Sequence, residues 1–475
     1  MPRGRRHPIP TARLMESDFT EFRGLRVTVM GLGRFGGGLG AARFLADNGA
    51  RVTVTDLQTE DRLSVSVSKL RGMNIRFVLG GHYFRDFTET DMVVVNPAVP
   101  MDSPFVKMAR RYRRKLITEI GLFVERCPAT VCGVTGSNGK STTVSMLQSI
   151  LESSGKRHWV GGNIGGSLLS DLSSIKPDDI VVLELSSFQL EWLRELKWSP
   201  HIAAVLNVMP NHLDRHGSFE NYIEAKTAIL DFQETIHRAV LIRDDPVTRS
   251  LSMRARAKII WVGADLAIPG ISLVDGVIER SRYREHKPII EAGRLRVPGS
   301  HMVMNAMAAS ACAVAMKLDP EIIGRGLASF RGLPHRLEFV GESKGIRFYN
   351  DSKATTPEAA AAGVLAFDAP VIPILGGYDK KVQFRDMARS MKGRVKRAAL
   401  IGDTAPLIAD ALEEENIEFN VFDSLIEAYK GAVRHAKSGD VVLLSPGCAS
   451  YDMFANFEER GDTFKEFVNE FVHYV

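Results

Sequence analysis

A lysine at the end of a glycine-rich turn is a device for handling phosphate. The stretch Val131-Cys-Gly133-Val-Thr-Gly136-Ser-Asn138-Gly139-Lys140-Ser141-Thr142 reads as a strand, a turn and the opening of a helix that runs to about Ser153. Backbone N–H groups in such a turn converge on an anion, and the helix N-terminus adds partial positive charge. The lysine neutralises phosphate, and a hydroxyl reaches magnesium. The spacing departs from the G-x-x-x-x-G-K-[ST] pattern: Val134 stands where the first glycine would fall. Downstream, Asp179-Ile-Val-Val-Leu-Glu184 reads as a buried strand ending in an acid. From there a carboxylate approaches a magnesium ion held at the phosphates. A glutamate buried there calls for a nearby cation; capping of the next helix is the other reading. The strand His201–Asn207 leads into Asn211-His212-Leu-Asp-Arg215-His216, at the sheet edge where α/β proteins bind ligands. His212 is the better metal-ligand candidate, and His216 is as readily an ordinary surface residue. Lys226 stands on a helix over 219–231 in an otherwise acidic and apolar setting.

These groups need sheets to hold them, and the chain alternates strands and helices throughout. Leu25–Gly31 is a strand, followed by the glycine turn Gly31-Leu-Gly33-Arg-Phe-Gly36-Gly37-Gly38, a helix to about Asn48 and a strand Arg51–Asp56 ending in an acid. Alone this is a weak dinucleotide-binding signal. It places a phosphate-bearing ligand on the helix after Gly36, or simply lets that helix pack close to the strand. Strands at Ile75 and Asp91–Val95 follow, then a helix whose Lys107, Arg110, Arg111, Arg113, Arg114 and Lys115 form a solvated face. The central part adds strands near Ala239 and Lys258, small β-hairpins over 274–298, and helices over 302–316 and 319–330. Gly332-Leu-Pro-His335-Arg336 is hinge-like. Beyond it come strands at Glu338, Ile346–Asp351, Val371–Leu375, Ala398, Phe419 and Val441, and a final helix carrying Phe464, Phe467 and Phe471. The expected fold is α/β in three domains. A Rossmann-like domain spans 23–127, a central domain of phosphate-loop ATPase type with a mostly parallel sheet spans 128–331, and a Rossmann-like domain spans 332–475. A basic disordered tail, 1–22, precedes them.

Bulk composition agrees. With 475 residues, 45% hydrophobic and 25% charged, the chain can bury several cores. A formal net charge of +5 tolerates anionic ligands, and no arginine stripe with interleaved aromatics points to nucleic acid. The four cysteines, Cys127, Cys132, Cys312 and Cys448, lack metal-ligand spacing and read as reduced, mostly buried thiols of a cytosolic protein. No signal peptide or membrane span is expected; the apolar run near 302–318 reads as a buried helix.

The joint pattern resembles the ATP-dependent, amide-forming Mur ligases. The resemblance covers Leu25 to the end. It is carried by Gly136-Ser-Asn-Gly-Lys140-Ser-Thr, Glu184-Leu-Ser-Ser-Phe-Gln189, Asn211-His-Leu-Asp-Arg215, Gly332-Leu-Pro-His-Arg336, Asn350-Asp-Ser-Lys353-Ala-Thr355, Leu375-Gly-Gly and Leu443-Leu-Ser-Pro-Gly-Cys-Ala-Ser450 through Asn456-Phe457-Glu-Glu-Arg-Gly. The C-terminal motifs resemble those of the members that add D-glutamate. The resemblance implies amide formation between UDP-N-acetylmuramoyl-L-alanine and D-glutamate at the expense of ATP, in a cytoplasmic monomer. Gly33, Gly36, Gly37, Asp56, Asn163, Ser187 and Gln189 would hold the UDP-linked substrate. Gly136, Asn138, Gly139, Lys140, Ser141, Thr142, His301, Asn305, Arg336 and Asp351 would hold ATP. Two magnesium ions would sit at Ser141, Glu184, His212 and Lys226, the last as a carbamylated lysine. Lys140, Glu184, His212 and Lys226 would be catalytic. Lys353, Thr355, Lys380, Ser450 and Phe457 would receive D-glutamate. The L-alanine carboxylate would attack the γ-phosphorus of ATP, and the amine of D-glutamate would then attack the acyl phosphate. An acyl phosphate hydrolyses readily, so closure of the third domain is expected.

Some positions depart from the family pattern. Phe35 and Gly38 stand where many members have threonine and serine, Gln58 where a basic residue is common, and Met302 where asparagine usually follows histidine. A ligase adding diaminopimelate would show an acidic-Asn-Pro-Arg signature, and a folate ligase lacks this kind of uridine domain. A nicotinamide dehydrogenase built on Gly31–Asp56 would leave Lys140 and Glu184 unused. A non-catalytic nucleotide-binding protein would not need Lys140, Glu184, His212 and Lys226 together.

Overall fold

Runs of β-branched residues with no polar interruption fold as strands buried on both faces, and they set the framework. The computed structural model describes residues 19–32, 36–264, 269–282, 285–379 and 382–473. Gly33, Phe35, Lys380 and the tail up to residue 18 lie outside the described residues. The chain forms two compact units: residues 1–140 with 155–262, and residues 141–154 with 263–475.

The first unit carries two parallel sheets. Strands β1 (Arg26–Met30), β2 (Arg51–Asp56), β3 (Ile75–Leu79), β4 (Met92–Val95) and β5 (Lys115–Ile117) lie in the order β3-β2-β1-β4-β5. The order reverses at β1, so a crevice opens beyond the carboxyl ends of β1 and β4, the usual ligand position of such sheets. The second sheet holds β6 (Thr130–Thr135), β7 (His158–Gly162), β8 (Ile180–Glu184), β9 (Ile202–Val205), β10 (Arg238–Ile242) and β11 (Lys258–Ala264). Within this unit β6 pairs with β8 on one side and β9 on the other, all parallel. Its switch point therefore falls at the exit of β6, where the phosphate loop begins. Val131, Val181, Leu183, Ala203 and Val205 are buried beneath it.

The disordered tail expected over 1–22 does not extend through Thr20–Phe22, which form a 3-10 turn. Phe22 is buried and packs edge-on against Phe44, an apolar contact that anchors the chain before β1.

The second unit contains an antiparallel meander, β12 (Gly270–Val274), β13 (Val277–Arg282) and β14 (Glu285–Glu291), and the helices Ser300–Ala315 and Pro320–Ser329. The first of these helices is buried along most of its length, as its alanine-rich run implies. A six-stranded sheet follows: β15 (Glu338–Ser343), β16 (Ile346–Asn350), β17 (Val371–Gly376), β18 (Ala398–Ile401), β19 (Phe419–Val421) and β20 (Val441–Leu444). The order is β15-β16-β20-β17-β18-β19, parallel except for β15. Phe464 and Val468 of the final helix, Phe457–His473, are fully buried against this sheet.

Candidate active site

The phosphate loop is held by groups from the exit of β9. Ser137 N–H donates to Asn207 O at 2.8 Å and Asn138 N–H to Asn207 Oδ1 at 2.9 Å, while Asn207 Nδ2 donates back to Asn138 O. Ser137 Oγ donates to Met209 O and lies 3.1 Å from Tyr222 OH. Gly139 has φ +83°, a left-handed turn that a side chain would strain, and a Cβ at Gly136 would press on Leu206. The helix Lys140–Ser154 then begins, carrying Ser141 and the buried Thr142 in its first turn.

Two lysines meet at the same carbonyl. Lys140 Nζ donates to Gly136 O at 3.0 Å and Ser137 O at 3.1 Å. Lys226 Nζ donates to Gly136 O at 2.9 Å and lies 4.7 Å above the Tyr222 ring. Lys226 is 1% exposed and is therefore not a surface lysine. Burial first, and the Lys140 charge second, push its pKa down to about 7, opposed by Glu184. An amine so placed is about half neutral at pH 7, and that neutral fraction is nucleophilic.

Glu184 ends β8 fully inside the protein, and its Oε1 accepts Asn163 Nδ2 at 2.8 Å. His212 is exposed, in a left-handed conformation, with its ring 5.2 Å from Phe188. His216 is the opposite of a surface residue. It is buried, stacks on Phe188, meets Ser187 Oγ at 3.0 Å and faces Glu191. The apolar wall of Phe188 and Tyr222 is what draws it in. Among the described residues no group of three or more His, Cys, Asp and Glu side chains is placed to hold a metal ion.

Above these groups lies a cavity of about 530 Å³. Its walls include Gly37 and Gly38, Asn96, Glu119, Lys140, Asn163, Ser187, Gln189, His212 and Lys226. Two of the predicted substrate contacts are already engaged. Gln189 Oε1 accepts Ser186 N–H in a capping box for the helix Ser187–Glu195, and Ser187 holds His216. Asp56 spends both oxygens on backbone amides, Leu32 N–H at 2.8 Å and Gln58 N–H at 2.8 Å, and so shapes the first glycine turn. Gly36 caps the helix Gly37–Asp47 with φ +88°. A Cβ at Gly38 would collide with Gly31 O and Leu32 O. That close approach is why no serine fits there.

In the second unit the polar groups gather at the carboxyl ends of β16, β17 and β20. Buried Asp351 accepts Ser445 Oγ at 2.8 Å and Leu337 N–H at 3.1 Å, and burial pushes its carboxyl up to about 6. It therefore ties the turn Gly332–Leu337 to the sheet. Arg336 is exposed in that turn and its charge helps to lower the His301 pKa, behind burial. Asn305 is buried in the helix that starts beside His301. Lys353 is exposed with Nζ 5.9 Å from the Phe457 ring; Thr355 is half-buried and Ser450 buried.

Three family models match the chain in series. A Mur ligase MurD-like N-terminal domain covers 25–118, a Mur ligase middle domain 134–313, and a Mur ligase glutamate ligase domain 335–448. A UDP-N-acetylmuramoylalanine--D-glutamate ligase of Roseiflexus sp. (strain RS-1) is 40% identical over 94% of this chain and 99% of its own length. One of the same name from Thermoanaerobacter sp. (strain X514) is 38% identical over 95% and 99%. The chain belongs to the Mur ligase family. Solved structures of MurC from Thermotoga maritima (19% identical, TM-score 0.54, covering 94% of this chain and 99% of that one) and MurF from Acinetobacter baumannii (16%, 0.55, 93% and 93%) share its α/β fold. No helix among the described residues is long and apolar enough to cross a membrane.

Sequence reasoning missed several residues of this Mur ligase. Asn207 and Tyr222 brace the phosphate loop but sit about seventy and eighty-five positions away. Glu119 follows a short strand and gives no local signal. Arg460 is fully buried, with Nε on Ser352 Oγ (3.0 Å), Nη2 on Ser352 O (3.0 Å) and Cys448 O (3.0 Å), and Nη1 on Ala449 O (3.3 Å). It joins the loop before Lys353 to the loop before Ser450.

Proposed function

We propose that this chain joins UDP-N-acetylmuramoyl-L-alanine to D-glutamate, consuming ATP and releasing ADP and phosphate, in the cytoplasm. The observation that carries the reading is the pair Lys140 and Lys226 on one carbonyl of the phosphate loop, beside buried Glu184, at the floor of a cavity that reaches the first glycine turn. A dehydrogenase has no use for that pair. Domains over 23–127, 128–331 and 332–475 would divide the work among nucleotide-sugar, ATP and amino acid.

Lys140 neutralises the ATP phosphates on the loop of Gly136, Asn138 and Gly139, and Ser141 and Thr142 follow at the helix start. The L-alanine carboxylate displaces ADP at the γ-phosphorus to give an acyl phosphate. The D-glutamate amine then forms the amide and phosphate leaves. Asn163, Ser187 and Gln189 line the path of the UDP-linked substrate, with Gly33, Gly36, Gly37 and Asp56 toward its nucleotide end. His301, Asn305, Arg336 and Asp351 attend the nucleotide of ATP, and Lys353, Thr355, Lys380, Ser450 and Phe457 the D-glutamate. The donor set of Ser141 hydroxyl, Glu184 carboxylate and His212 imidazole fits hard cations such as Mg²⁺, and two such ions would supply charge neutralisation at the phosphates. Lys226, held near pKa 7, reacts with CO₂: its amine nitrogen bonds to carbon and a proton leaves, giving a carbamate. That modification adds the carboxylate which the described protein side chains lack at this point.

Phosphate release from ATP is the test. It should require both UDP-N-acetylmuramoyl-L-alanine and D-glutamate, and L-glutamate, meso-diaminopimelate or NAD should not substitute. Absence of the amide product with all substrates present would refute the reading.

A further inference from the structure

Glu119 is a carboxyl in the substrate cavity that the chemistry above does not use. It opens the helix Glu119–Val124 and lines the cavity with Gly37 and Gly38. One oxygen accepts Ser167 Oγ at 2.5 Å. The other carries no protein hydrogen bond among the described residues. Burial pushes the carboxyl up to about 7, against the Ser167 hydrogen bond. Charges on the elements packed against this helix are directed elsewhere. Arg43 donates to Lys69 O, and Asp47 is exposed on the same helix, Gly37–Asp47. Glu191 faces Arg215 and His216, Arg194 holds Glu224 and Asp231, and Glu195 meets Arg110. Asp171, on the short helix Leu168–Ser174, is half-buried. Lys140, Lys226, His212 and Tyr222 are the other titratable groups of the cavity wall among the described residues.

We infer that the protonated Glu119 carboxyl donates a hydrogen bond to the diphosphate of the nucleotide-linked substrate, and so decides affinity for it. The helix Gly37–Asp47 presents its N-terminus to the same cavity, which selects an anion there. The collision that forbids a side chain at Gly38 removes a hydroxyl donor from this turn, and Glu119 replaces it from the facing element. An O–H to a phosphate oxygen is a charge-assisted bond; an ionised Glu119 would instead repel the anion. This inference rests on the reading of the cavity as the UDP-substrate site.

Calorimetric titration of UDP-N-acetylmuramoyl-L-alanine into the full chain without ATP, from pH 6 to 9 in two buffers of different ionisation enthalpy, tests it. Affinity should fall above about pH 7, approaching tenfold per pH unit, with uptake of up to one proton. Glu119→Gln keeps a neutral donor and should bind at pH 8.5 more tightly than the parent, with no proton uptake. Ser167→Ala removes a bond to the ionised form and should move the midpoint upward. A pH-independent parent, or an E119Q protein that keeps the parental profile, overturns the inference, since the proton then belongs to Lys226 or His212 or to none. A parent that binds at no pH overturns the substrate reading itself.

Discussion

Replacing Arg460 with methionine separates a positioning role from a merely structural one. The guanidinium is 1% exposed and serves four acceptors: the hydroxyl and carbonyl of Ser352 and the carbonyls of Cys448 and Ala449. Orphaning them costs roughly 1.5 kcal/mol each, or about 6 kcal/mol together. Part is returned, because burial pulls the arginine pKa down to about 10, and removing that strained charge recovers about 3 kcal/mol. The net expectation is a loss of about 3 kcal/mol, read as a lower denaturant midpoint at unchanged slope. The two loops it joins lead directly into Lys353 and Ser450, so the KM for D-glutamate should rise about tenfold, equivalent to about 1.4 kcal/mol, with the KM for ATP little changed. Arg460→Lys keeps the charge but cannot span four acceptors and should fall between. A stability loss under about 1 kcal/mol with an unmoved D-glutamate KM would refute the reasoning.

Three further outcomes follow from single positions. Lys226→Met should abolish ligation by at least about a hundredfold yet remove a pH term from stability. With a folded pKa near 7 against 10.5, the parent in CO₂-free buffer binds fewer protons folded than unfolded between those values, so its stability rises with pH across that window; urea midpoints at pH 7 and 9.5 should diverge in the parent and not in the variant. Gly461→Ala would drive a methyl into His335 Nδ1 and the Asn350 amide, and should lower stability by about 2–3 kcal/mol in the same measurement. Gly38→Ser should weaken UDP-substrate binding rather than restore a hydroxyl contact, because its Cβ meets backbone oxygens that cannot yield; tighter binding by calorimetry would contradict this.

Where a feature is local, the sequence displays it. The strand Arg51–Asp56 and the helix Phe219–Asp231 fall where hydrophobic period and turn residues place them, because each is specified by neighbours a few positions away. The phosphate loop is legible for the same reason, despite its displaced glycine. The sequence leaves open whether His216 is a surface residue because its partners, Phe188 and Ser187, lie on another helix. Its burial is a property of packing, not of the segment around it. Gln189 shows the reverse. The Ser186-x-x-Gln189 spacing is a visible capping box, yet within a motif it reads as substrate-binding unless the backbone it caps is considered.

The same distinction explains which parts of the site carry chemistry. Lys140, Glu184 and His212 stand at strand ends or in turns, where topology alone delivers them to a crevice. Lys226 comes from the middle of a helix, and its character depends on what surrounds it: apolar burial, a second lysine and one shared carbonyl. An ordinary lysine gains a neutral, nucleophilic fraction near pH 7 only inside that arrangement. Glu119 is the acidic counterpart, a carboxylate made into a donor by burial. Both inversions arise because desolvation disfavours the charged form by more than the neighbouring groups restore. A motif can point to such a residue, as it does to Lys226, but its chemistry is explained only in the folded chain, since most of the groups that cause it lie remote in sequence.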